Sequence, residues 1–335
     1  MRLFAFATVA ALGVLALTGC TAGDTGGDTG DGSDAAAVTD VPIIVPADPG
    51  GGWDQTGRAM SSVLTSEDIV NSAPVTNIGG AGGANGLAAL ANETNPDTLM
   101  VMGLVMVGAV ETNASEVRLE DTTPIARLTD EALVIVVPAA SEYETLQDLV
   151  DDILENGQDV TITGGSAGGA DHILAGLLLE AAGLSSDEIA SSLNYIPNSG
   201  GGEAVSLILG NNVSAGISGV GEFVEHIESG DMRALAVSSA ERVEALPDTP
   251  TIVEEGYDVT LTNWRGVVAS GSIDDAQRNA LELVVTEMHD SEAWASELET
   301  RGWADAFLVG EDFDEFLTDN IAEVQTTLKN IGLVA

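Results

Sequence analysis

Three glycine-rich turns are the segments of this sequence best suited to bind a ligand. They are ADPGGGWD (47–54), GGAGGANG (79–86) and GGSAGGAD (164–171), and each lies between an apolar run and a helical pattern. Because glycine has no side chain, a ligand can approach the backbone N–H groups of such a turn closely, and the N-terminus of the following helix carries a partial positive charge. A single turn of this kind often serves only to connect a strand tightly to a helix. Three such turns in one chain predict a cleft that binds a phosphate or carboxylate group without Lys or Arg.

None of the three turns has the spacing of a nucleotide-binding motif. A Walker A loop requires Gly-Lys-Ser/Thr after its glycines, and a dinucleotide-binding turn reads G-x-G-x-x-G. Neither sequence occurs in these segments. No group of His, Cys and carboxylate residues has metal-ligand spacing, and no EF-hand calcium loop is present. We therefore predict a site that uses no cofactor and no metal.

The third turn also matches a catalytic motif, which supplies an alternative function. GGSAG (164–168) reads G-x-S-x-G between a predicted strand and a predicted helix, the context of the nucleophile in serine hydrolases. A secreted esterase would use Ser166, with His226 or His289 following in the required chain order. Both histidines lie in helical patterns, however, and His172 follows Ser166 too closely. We predict that the protein is not an enzyme and keep the serine esterase as the alternative.

The composition excludes several kinds of partner. The chain has 335 residues with 54 acidic and 10 basic side chains, and its formal net charge is −44. Nucleic acids and anionic membrane surfaces are bound through Lys and Arg, so neither is expected as a partner. With one cysteine, neither an intrachain disulfide nor a cysteine-based zinc site can form. Such an acidic composition is typical of proteins that work outside the cell at high salt. The Debye length falls to about 3 Å at 1 M salt, so the repulsion between the acidic side chains is screened.

The first forty residues have the pattern of an export signal followed by a lipid anchor. Residues 1–19 combine Arg2 with an uncharged apolar stretch, which is typical of a signal peptide and shorter than a membrane span. LTGC (17–20) resembles a bacterial lipobox, in which Cys20 becomes the first mature residue and carries the lipid. Residues 20–40 are then the lipidated cysteine and a flexible, Gly- and Asp-rich tether. We predict an exported, extracytoplasmic (periplasmic) protein that the lipid alone anchors to the outer face of the cell membrane.

From residue 41 onward, short apolar runs alternate with glycine-rich turns and helical patterns. The apolar runs predict strands at 41–46, 74–78, 98–106, 132–138, 160–163, 213–217, 233–238 and 266–270. The periodic segments predict helices near 54–65, 84–91, 145–155, 171–182, 201–209, 220–228, 274–289, 291–301 and 311–331. Apolar strands separated by helices are typical of mostly parallel sheets covered on both faces, which predicts a doubly wound α/β fold.

The order of six segments carries a resemblance to one known family. The segments are VPADPGGGWDQTGRAM (45–60), VTNIGGAGGANGLAALA (75–91), GGSAGGADHILAG (164–176), YIPNSGGGEAVSLILGN (195–211), MRALAVSSAERVEALPDTPTIVEEG (232–256) and NWRGVVAS (263–270). Together they resemble the Bug/TctC family, the extracytoplasmic solute receptors of tripartite tricarboxylate transporters. This chain has Gly164-Gly165 where many members have Ser-Pro or Ser-Ser. We therefore expect this turn to contact the ligand through its backbone.

The resemblance implies a two-lobed periplasmic-binding-protein fold of type II that closes on a small carboxylate. The lobes would comprise residues 41–138 with 262–335, and residues 139–261, each built on a mostly parallel sheet flanked by helices. The first turn and the third turn would face each other across the cleft and offer amides to the carboxylate. The implied function is to bind a tricarboxylate- or dicarboxylate-like ligand and to deliver it, as a monomer, to membrane transporter subunits.

The expected ligand-binding residues lie mainly in the three turns. They are Asp48, Gly51, Gly52, Trp53, Asp54, Gly80, Ala81, Gly82, Gly165, Ser166, Ala167, Gly168, His172, Ser218 and Trp264. Trp53 is expected either to wall the cleft or to pack at its helix start, and Ser166 and Ser218 to donate hydroxyl groups. Trp264 and Arg265, where the chain re-enters lobe one, are expected beside the hinge.

Three further polar residues are expected to hold the turns in shape. Arg58 stands four residues after Asp54, which favours an ion pair within the helix over a ligand contact. Asn77 and Asn198 follow apolar runs, and we expect them to fix turn geometry, with ligand contact as the alternative.

Overall fold

Strands and helices alternate along the computed structural model, which describes residues 38–198 and 201–334. The strands are β1 (Ile43–Val45), β2 (Val75–Asn77), β3 (Leu99–Gly103), β4 (Thr122–Asp130), β5 (Leu133–Pro138), β6 (Thr161–Gly164), β7 (Asn194–Pro197), β8 (Ala215–Gly219), β9 (Met232–Val237), β10 (Arg265–Ser270) and β11 (Ala304–Val309). The α-helices are α1 (Gly52–Ser66), α2 (Ala84–Ala91), α3 (Leu104–Thr112), α4 (Leu146–Asn156), α5 (Ala170–Ala181), α6 (Ser186–Ser192), α7 (Gly201–Leu209), α8 (Val220–Glu228), α9 (Asp275–His289), α10 (Glu292–Arg301) and α11 (Glu311–Asn330). The predicted signal peptide and Cys20 lie outside the described residues.

The strands form two sheets, and each sheet is the centre of one lobe. The first has the order β11-β4-β10-β3-β1-β2, and the second has the order β7-β6-β8-β5-β9. In the first, β1 runs parallel to β2 and β3, whereas β10 runs antiparallel to both β3 and β4. In the second, β6 runs parallel to β7 and β8, and β5 runs antiparallel to β8 and β9. The predicted α/β class with two lobes is confirmed, and the antiparallel pairs involve the strands next to the crossings between sheets.

The chain crosses between the sheets twice, and the two crossings touch. The first crossing is Glu131–Ala132, between β4 and β5, and the second lies between β9 and β10. An isolated bridge joins Ala132 to Thr262, and the Asn263 amide donates to the Glu131 carbonyl oxygen at 2.8 Å. Strand pairing therefore puts residues 133–138 in the second sheet, although the sequence analysis assigned them to lobe one.

One apolar run that predicts a single strand is divided between a strand and a helix. The run 98–106 continues as β3 only to Gly103, and α3 begins at Leu104. A β-carbon on Gly103 would overlap the Trp264 carbonyl oxygen, and the Leu104 amide donates to that oxygen at 3.3 Å. All residues of the run except Val105 are buried, so the run has no periodicity that separates a buried strand from a buried helix.

Three strands and one further helix were missed by the sequence analysis. β4 mixes polar and apolar residues without regular alternation and has a proline inside it. β7 and β11 lie at sheet edges, and their side chains are largely half-exposed or exposed. α6 has seven residues, too few for its periodicity to stand out. Helix α11 was predicted best: Phe313, Leu317, Ile321, Val324 and Leu328 form its buried stripe. None of the described helices is both long and apolar enough to cross a membrane.

The first glycine-rich turn is positioned by the packing of α1 on the first sheet. Gly57 is buried at the centre of this contact, where an added β-carbon would overlap Val45 and would lie 3.6 Å from Ile43 and from Val101. Helix α1 can therefore approach the sheet closely only with glycine at this position.

We predict that Gly57→Ala destabilises the protein although alanine is the better helix former. Overpacking of a tight core contact costs about 1–3 kcal/mol, more than the gain of about 1 kcal/mol in helix propensity. Urea denaturation measures the change. Gly202→Ala, at an exposed site of α7 with open space around it, is the matched control and should be neutral or stabilising. Equal stabilisation by both variants would contradict the prediction.

Candidate ligand-binding cleft

A cleft of about 370 Å³ lies between the two sheets, and the three glycine-rich turns line it. This volume is typical of a site for a small molecule. Eleven of the residues that the sequence analysis selected line the cleft: Asp48, Gly51, Gly52, Trp53, Gly80, Ala81, Gly82, Gly165, Ser166, Ala167 and Ser218. The turns of the first lobe and the third turn of the second lobe therefore share one cavity.

The second and third turns approach each other directly. A β-carbon on Gly82 would lie 3.4 Å from the β-carbon of Ser166. Helix α3 braces both turns: Asn113 Nδ2 donates to the Ala81 carbonyl oxygen at 3.2 Å, and Thr112 Oγ1 donates to the Ala167 carbonyl oxygen at 3.4 Å. A small ligand between these turns can therefore reach backbone groups of both lobes.

The helices α1 and α5 begin at the cleft after a glycine, so the residue at the N-cap position has no side chain to cap them. Gly51 precedes α1, and Gly169 precedes α5, both with extended backbone. By contrast, side chains of Thr145, Asp274 and Ser291 cap α4, α9 and α10, which begin away from the cleft. The cap side chain normally satisfies the free amides of the first turn. Its absence leaves the helix starts at the cleft open to other acceptors.

Backbone amides in two of the turns are still available. In the described part of the chain, the N–H groups of Gly80, Ser166 and Ala167 have no hydrogen-bond partner. Gly82, in the second turn, has φ of +60°, a conformation that glycine adopts without strain. A concave group of free amides attracts an anion through oriented dipoles and needs no basic side chain.

A buried ion pair forms the floor of the cleft beside the lobe crossings. Arg265 begins β10, Glu131 lies in the first crossing, and the Nη2 of Arg265 donates to Glu131 Oε2. Both side chains are about 2% exposed. Glu131 Oε1 also accepts from the Gly221 amide at 2.9 Å, near the N-terminus of α8. The Arg265 guanidinium lies against Gly52, so the pair touches elements of both lobes.

Glu222 extends from α8 of the second lobe to the start of α1 in the first. Its Oε1 accepts from the Gly52 amide at 3.2 Å, and its Oε2 accepts from the Ser218 hydroxyl at 2.9 Å. Burial raises the pKa of this carboxyl, and the neighbouring Glu131 raises it further. A side chain of the protein thus caps α1 across the cleft.

Asp171 is a second buried carboxyl in the cleft wall. Its Oδ2 accepts from the Gly165 amide at 2.6 Å, which holds the third turn in shape. Burial raises the pKa of Asp171 to about 7; the Gly165 hydrogen bond opposes this shift, and Glu222 and Glu131 add to it. The cleft wall therefore holds carboxyl groups that resist ionisation.

Two of the predicted site residues in the turns support the cleft from behind and do not line it. Asp54 is buried and accepts from the Gly50 amide, from Asn77 Nδ2 and from Arg58 Nε, each at 2.8–2.9 Å. Burial alone would raise its pKa, but these hydrogen bonds prevail and lower it. Gly168 has φ of +75° and faces Thr112. The expected pairing of Arg58 with Asp54 is present, and Asp54 shapes the first turn.

The other two predicted residues outside the cleft pack into the lobes. His172 stacks on Tyr195 with ring centroids 4.1 Å apart, and its Nδ1 accepts from the Gly168 amide at 3.2 Å. Burial lowers the pKa of His172 to about 4, so the ring is neutral. Trp264 packs edge-on against Phe316, and its Nε1 donates to Asn320 at 3.0 Å.

Several residues that line the cleft were not selected as ligand contacts from the sequence. They are Pro46, Ala47, Gly83, Val105, Asn113, Asp171, Pro197, Asn198, Glu203, Glu222, Asn263 and Arg265. Arg265 was expected only beside the hinge. Its position at the start of an otherwise apolar strand was a weak signal, since Arg233 begins the predicted strand 233–238 in the same way. Glu222 and Asp171 gave none, because an acidic residue in the first turn of a helix is ordinary.

The geometry around Ser166 differs from that of a hydrolase triad. No hydrogen bond joins Ser166 to a histidine in the described residues, and His172 Nδ1 is directed to the Gly168 amide. His289 lies between Asp290 and Asp305 on the first lobe. A serine nucleophile needs a base within hydrogen-bond reach, and no histidine of the described residues is hydrogen-bonded to Ser166.

We predict that Asp171→Asn makes the protein increasingly more stable than wild type as the pH rises from 4 to 7. The folded pKa of about 7 lies above the unfolded value of 3.8, so the folded state binds the extra proton and wild-type stability falls across this window. The difference should reach about 2–4 kcal/mol and then level off above pH 7. Urea denaturation from pH 4 to 9 measures it. The exposed Asp319→Asn is the control, and a difference that does not change with pH would contradict the prediction.

Comparison with known proteins identifies the family to which the chain belongs. Residues 59–333 match the family described as tripartite tricarboxylate transporter family receptor, TctC. Protein BugT of Bordetella pertussis is 26% identical over 310 residues, which cover 90% of this chain and 91% of BugT. The structure of the periplasmic binding protein BugD is similar with a TM-score of 0.77 and 21% identity, over 88% of this chain and 98% of BugD. MatC of Rhodopseudomonas palustris with bound malate has a TM-score of 0.74 and 19% identity, over 87% and 99% of the two chains. The chain belongs to the TctC family of solute-binding receptors, which is not a family of enzymes.

Proposed function

We propose that this protein is an extracytoplasmic receptor that binds a small organic carboxylate in the cleft between its lobes. It delivers this ligand, as a monomer, to the membrane subunits of a tripartite tricarboxylate transporter. The observation that carries the proposal is the set of free amides at Gly80, Ser166 and Ala167, contributed by facing turns of the two lobes. A ligand that bridges these amides holds the lobes together.

Recognition by amides reconciles an acidic ligand with an acidic protein. The formal charge of −44 would repel an anion at long range, but salt screens exposed charges within about 10 Å at 0.1 M. Inside the cleft, oriented N–H dipoles and helix N-termini are fixed close to the ligand and keep their effect. The malate bound by MatC shows that a protein of this fold accommodates a small carboxylate.

The lobe crossings supply the hinge that such a receptor needs. The two crossings are tied by the Ala132–Thr262 bridge and by the hydrogen bond from Asn263 to Glu131. Outside these crossings the sheets are separate, so a small change of backbone angles here rotates one lobe against the other. Ligand binding would then select the closed arrangement.

We predict that Gly51→Val lowers the affinity for the carboxylate more than tenfold, or about 1.4 kcal/mol. Gly51 lines the cleft with φ of −82°, which valine tolerates, and the space around its α-carbon is open. The fold should therefore persist while the side chain obstructs access to the amides. Isothermal titration with a panel of small acids, malate among them, measures the effect.

Ala295→Val adds a comparable apolar group at an exposed site of α10 and is the control. Wild-type affinity in the folded Gly51→Val variant would contradict the amide cradle, and no binding of any acid by wild type would contradict the receptor.

We also propose that Cys20 is lipidated and that this lipid anchors the protein to the outer face of the membrane. The lipobox-like LTGC (17–20) after an apolar signal supports the proposal. We predict that Cys20→Ala moves the protein from the membrane fraction to the soluble or precursor fraction when it is expressed in a bacterium that lipidates proteins. Labelling with a fatty-acid analogue should mark the wild type and not the variant. An unlabelled wild type would contradict the anchor.

A further inference from the structure

Two residues in the floor of the cleft have polar side-chain atoms without a partner. Among the buried side-chain atoms of the described residues that make no hydrogen bond, Arg265 Nη1 and Asn263 Oδ1 are the two whose residues line the cleft. Arg265 is 2% exposed, so its guanidinium has little access to bulk water. A buried donor or acceptor without a partner is unfavourable, and both atoms are therefore candidates for contact with a ligand.

The carboxylates around Arg265 already accept hydrogen bonds from other donors. Glu131 Oε2 accepts from Nη2 of Arg265, and Glu131 Oε1 accepts from the Gly221 amide. The two oxygens of Glu222 accept from the backbone at the start of α1 and from a serine hydroxyl. The pair with Glu131 also compensates the charge of Arg265. Its Nη1 therefore offers a hydrogen bond to a neutral acceptor and is less suited to form an ion pair with a second carboxylate.

Asn263 and Arg265 are two positions apart in the extended segment that leads from the second crossing into β10. Side chains of such a segment alternate between its two faces, so these two project from the same face. Trp264, between them, packs against Phe316 of the first lobe and does not line the cleft. The Asn263 amide donates to the Glu131 carbonyl oxygen at 2.8 Å, which holds the backbone of the segment in place.

The two unpartnered atoms make different demands on a ligand. Arg265 Nη1 needs an acceptor, whereas Asn263 Oδ1 needs a donor. An ammonium group only donates, and a carboxylate or carbonyl group only accepts. A hydroxyl group does both, and it is the smallest group of an organic ligand that can satisfy both atoms.

We propose that Arg265 and Asn263 form a subsite that binds a hydroxyl group of the ligand. The hydroxyl oxygen accepts from Arg265 Nη1, and the hydroxyl proton is donated to Asn263 Oδ1. The ligand is then a hydroxy acid whose carboxylate binds to the free amides of the second and third turns. This inference rests on the proposed carboxylate receptor and narrows the class of acid that it binds.

Titration calorimetry at pH 7.5 with matched acids tests the subsite. Each set contains a hydroxy acid, the oxo acid with a carbonyl group in its place, and the acid that lacks both. The sets are 2-hydroxypentanoate, 2-oxopentanoate and pentanoate; 4-hydroxypentanoate, 4-oxopentanoate and pentanoate; and 2-hydroxyglutarate, 2-oxoglutarate and glutarate. For the best-binding set, we expect wild type to bind the hydroxy acid at least tenfold more tightly than the unsubstituted acid, with the oxo acid between them.

Asn263→Ala removes the acceptor of the subsite and leaves the backbone hydrogen bond to Glu131 in place. It should remove the preference for the hydroxy acid over the oxo acid. The preference for the oxo acid over the unsubstituted acid should remain, because Arg265 provides it. Asn279→Ala, at an exposed position of α9, is the matched control and should keep both preferences.

The double variant Glu131→Gln with Arg265→Met tests the donor. Replacing both partners avoids leaving one buried charge uncompensated, and the glutamine oxygen can still accept from the Gly221 amide. This variant should lose the preference for the oxo acid over the unsubstituted acid. Circular dichroism establishes first that each variant is folded, and the wild-type panel with Asn263→Ala decides if the double variant is not.

Equal binding of the hydroxy and the unsubstituted acids by wild type would overturn this inference and leave the receptor intact. Tighter binding of the oxo acid than of the hydroxy acid would show that Asn263 does not accept, with the same consequence. A preference that survives in the folded variants would also overturn it. Failure of every acid to bind wild type would overturn the proposed function itself.

Discussion

The buried contact between Arg265 and Glu131 is the interaction on which the rest of the cleft depends. Glu131 lies in the first crossing between lobes and Arg265 directly follows the second. The backbone of Glu131 accepts from Asn263, and its side chain accepts from the Gly221 amide at the start of α8. Removing one partner of such a buried pair generally costs about 3–5 kcal/mol, because the other charge remains uncompensated. One pair therefore fixes the crossings, α8 and the floor of the site together.

This pair also determines how the site can use charge. Arg265 neutralises Glu131 and is not free to serve as a full cationic anchor for an acid. The binding of an anion then depends mainly on backbone amides, which the uncapped start of α5 and the second and third turns supply. Amides are dipoles and carry no net charge, so they suit one carboxylate better than several.

Much of the fold could be predicted from the sequence, because its signals are local. The buried stripe of α11 and the glycine-rich turns depend on residues that are close together in the chain. The family resemblance adds the arrangement of lobes. The prediction of a single strand over 98–106 was wrong, because a buried strand and a buried helix have the same composition. The contact of Gly103 with Trp264, which ends the strand, is tertiary and cannot be seen in the local sequence. The predicted boundary at residue 138 differs from the strand pairing for a similar reason. The sequence 133–138 predicts a strand but does not indicate which sheet the strand joins.

The site was harder to predict than the fold, because its side chains are separated along the chain. Glu222 meets Gly52 across 170 positions, and Arg265 meets Glu131 across 134. Asp54 stands in the first turn and His172 directly follows the third, yet their hydrogen bonds support these turns from outside the cleft. Motif spacing therefore located the turns and could not tell which side chains face the cavity.

Hydrogen–deuterium exchange with and without a bound acid tests the central claim most directly, that one ligand bridges amides of both lobes. The account predicts slower exchange in two peptides at once, one that contains Gly80–Gly83 and one that contains Gly165–Ala167. Protection confined to one lobe, or found away from both turns, would contradict it.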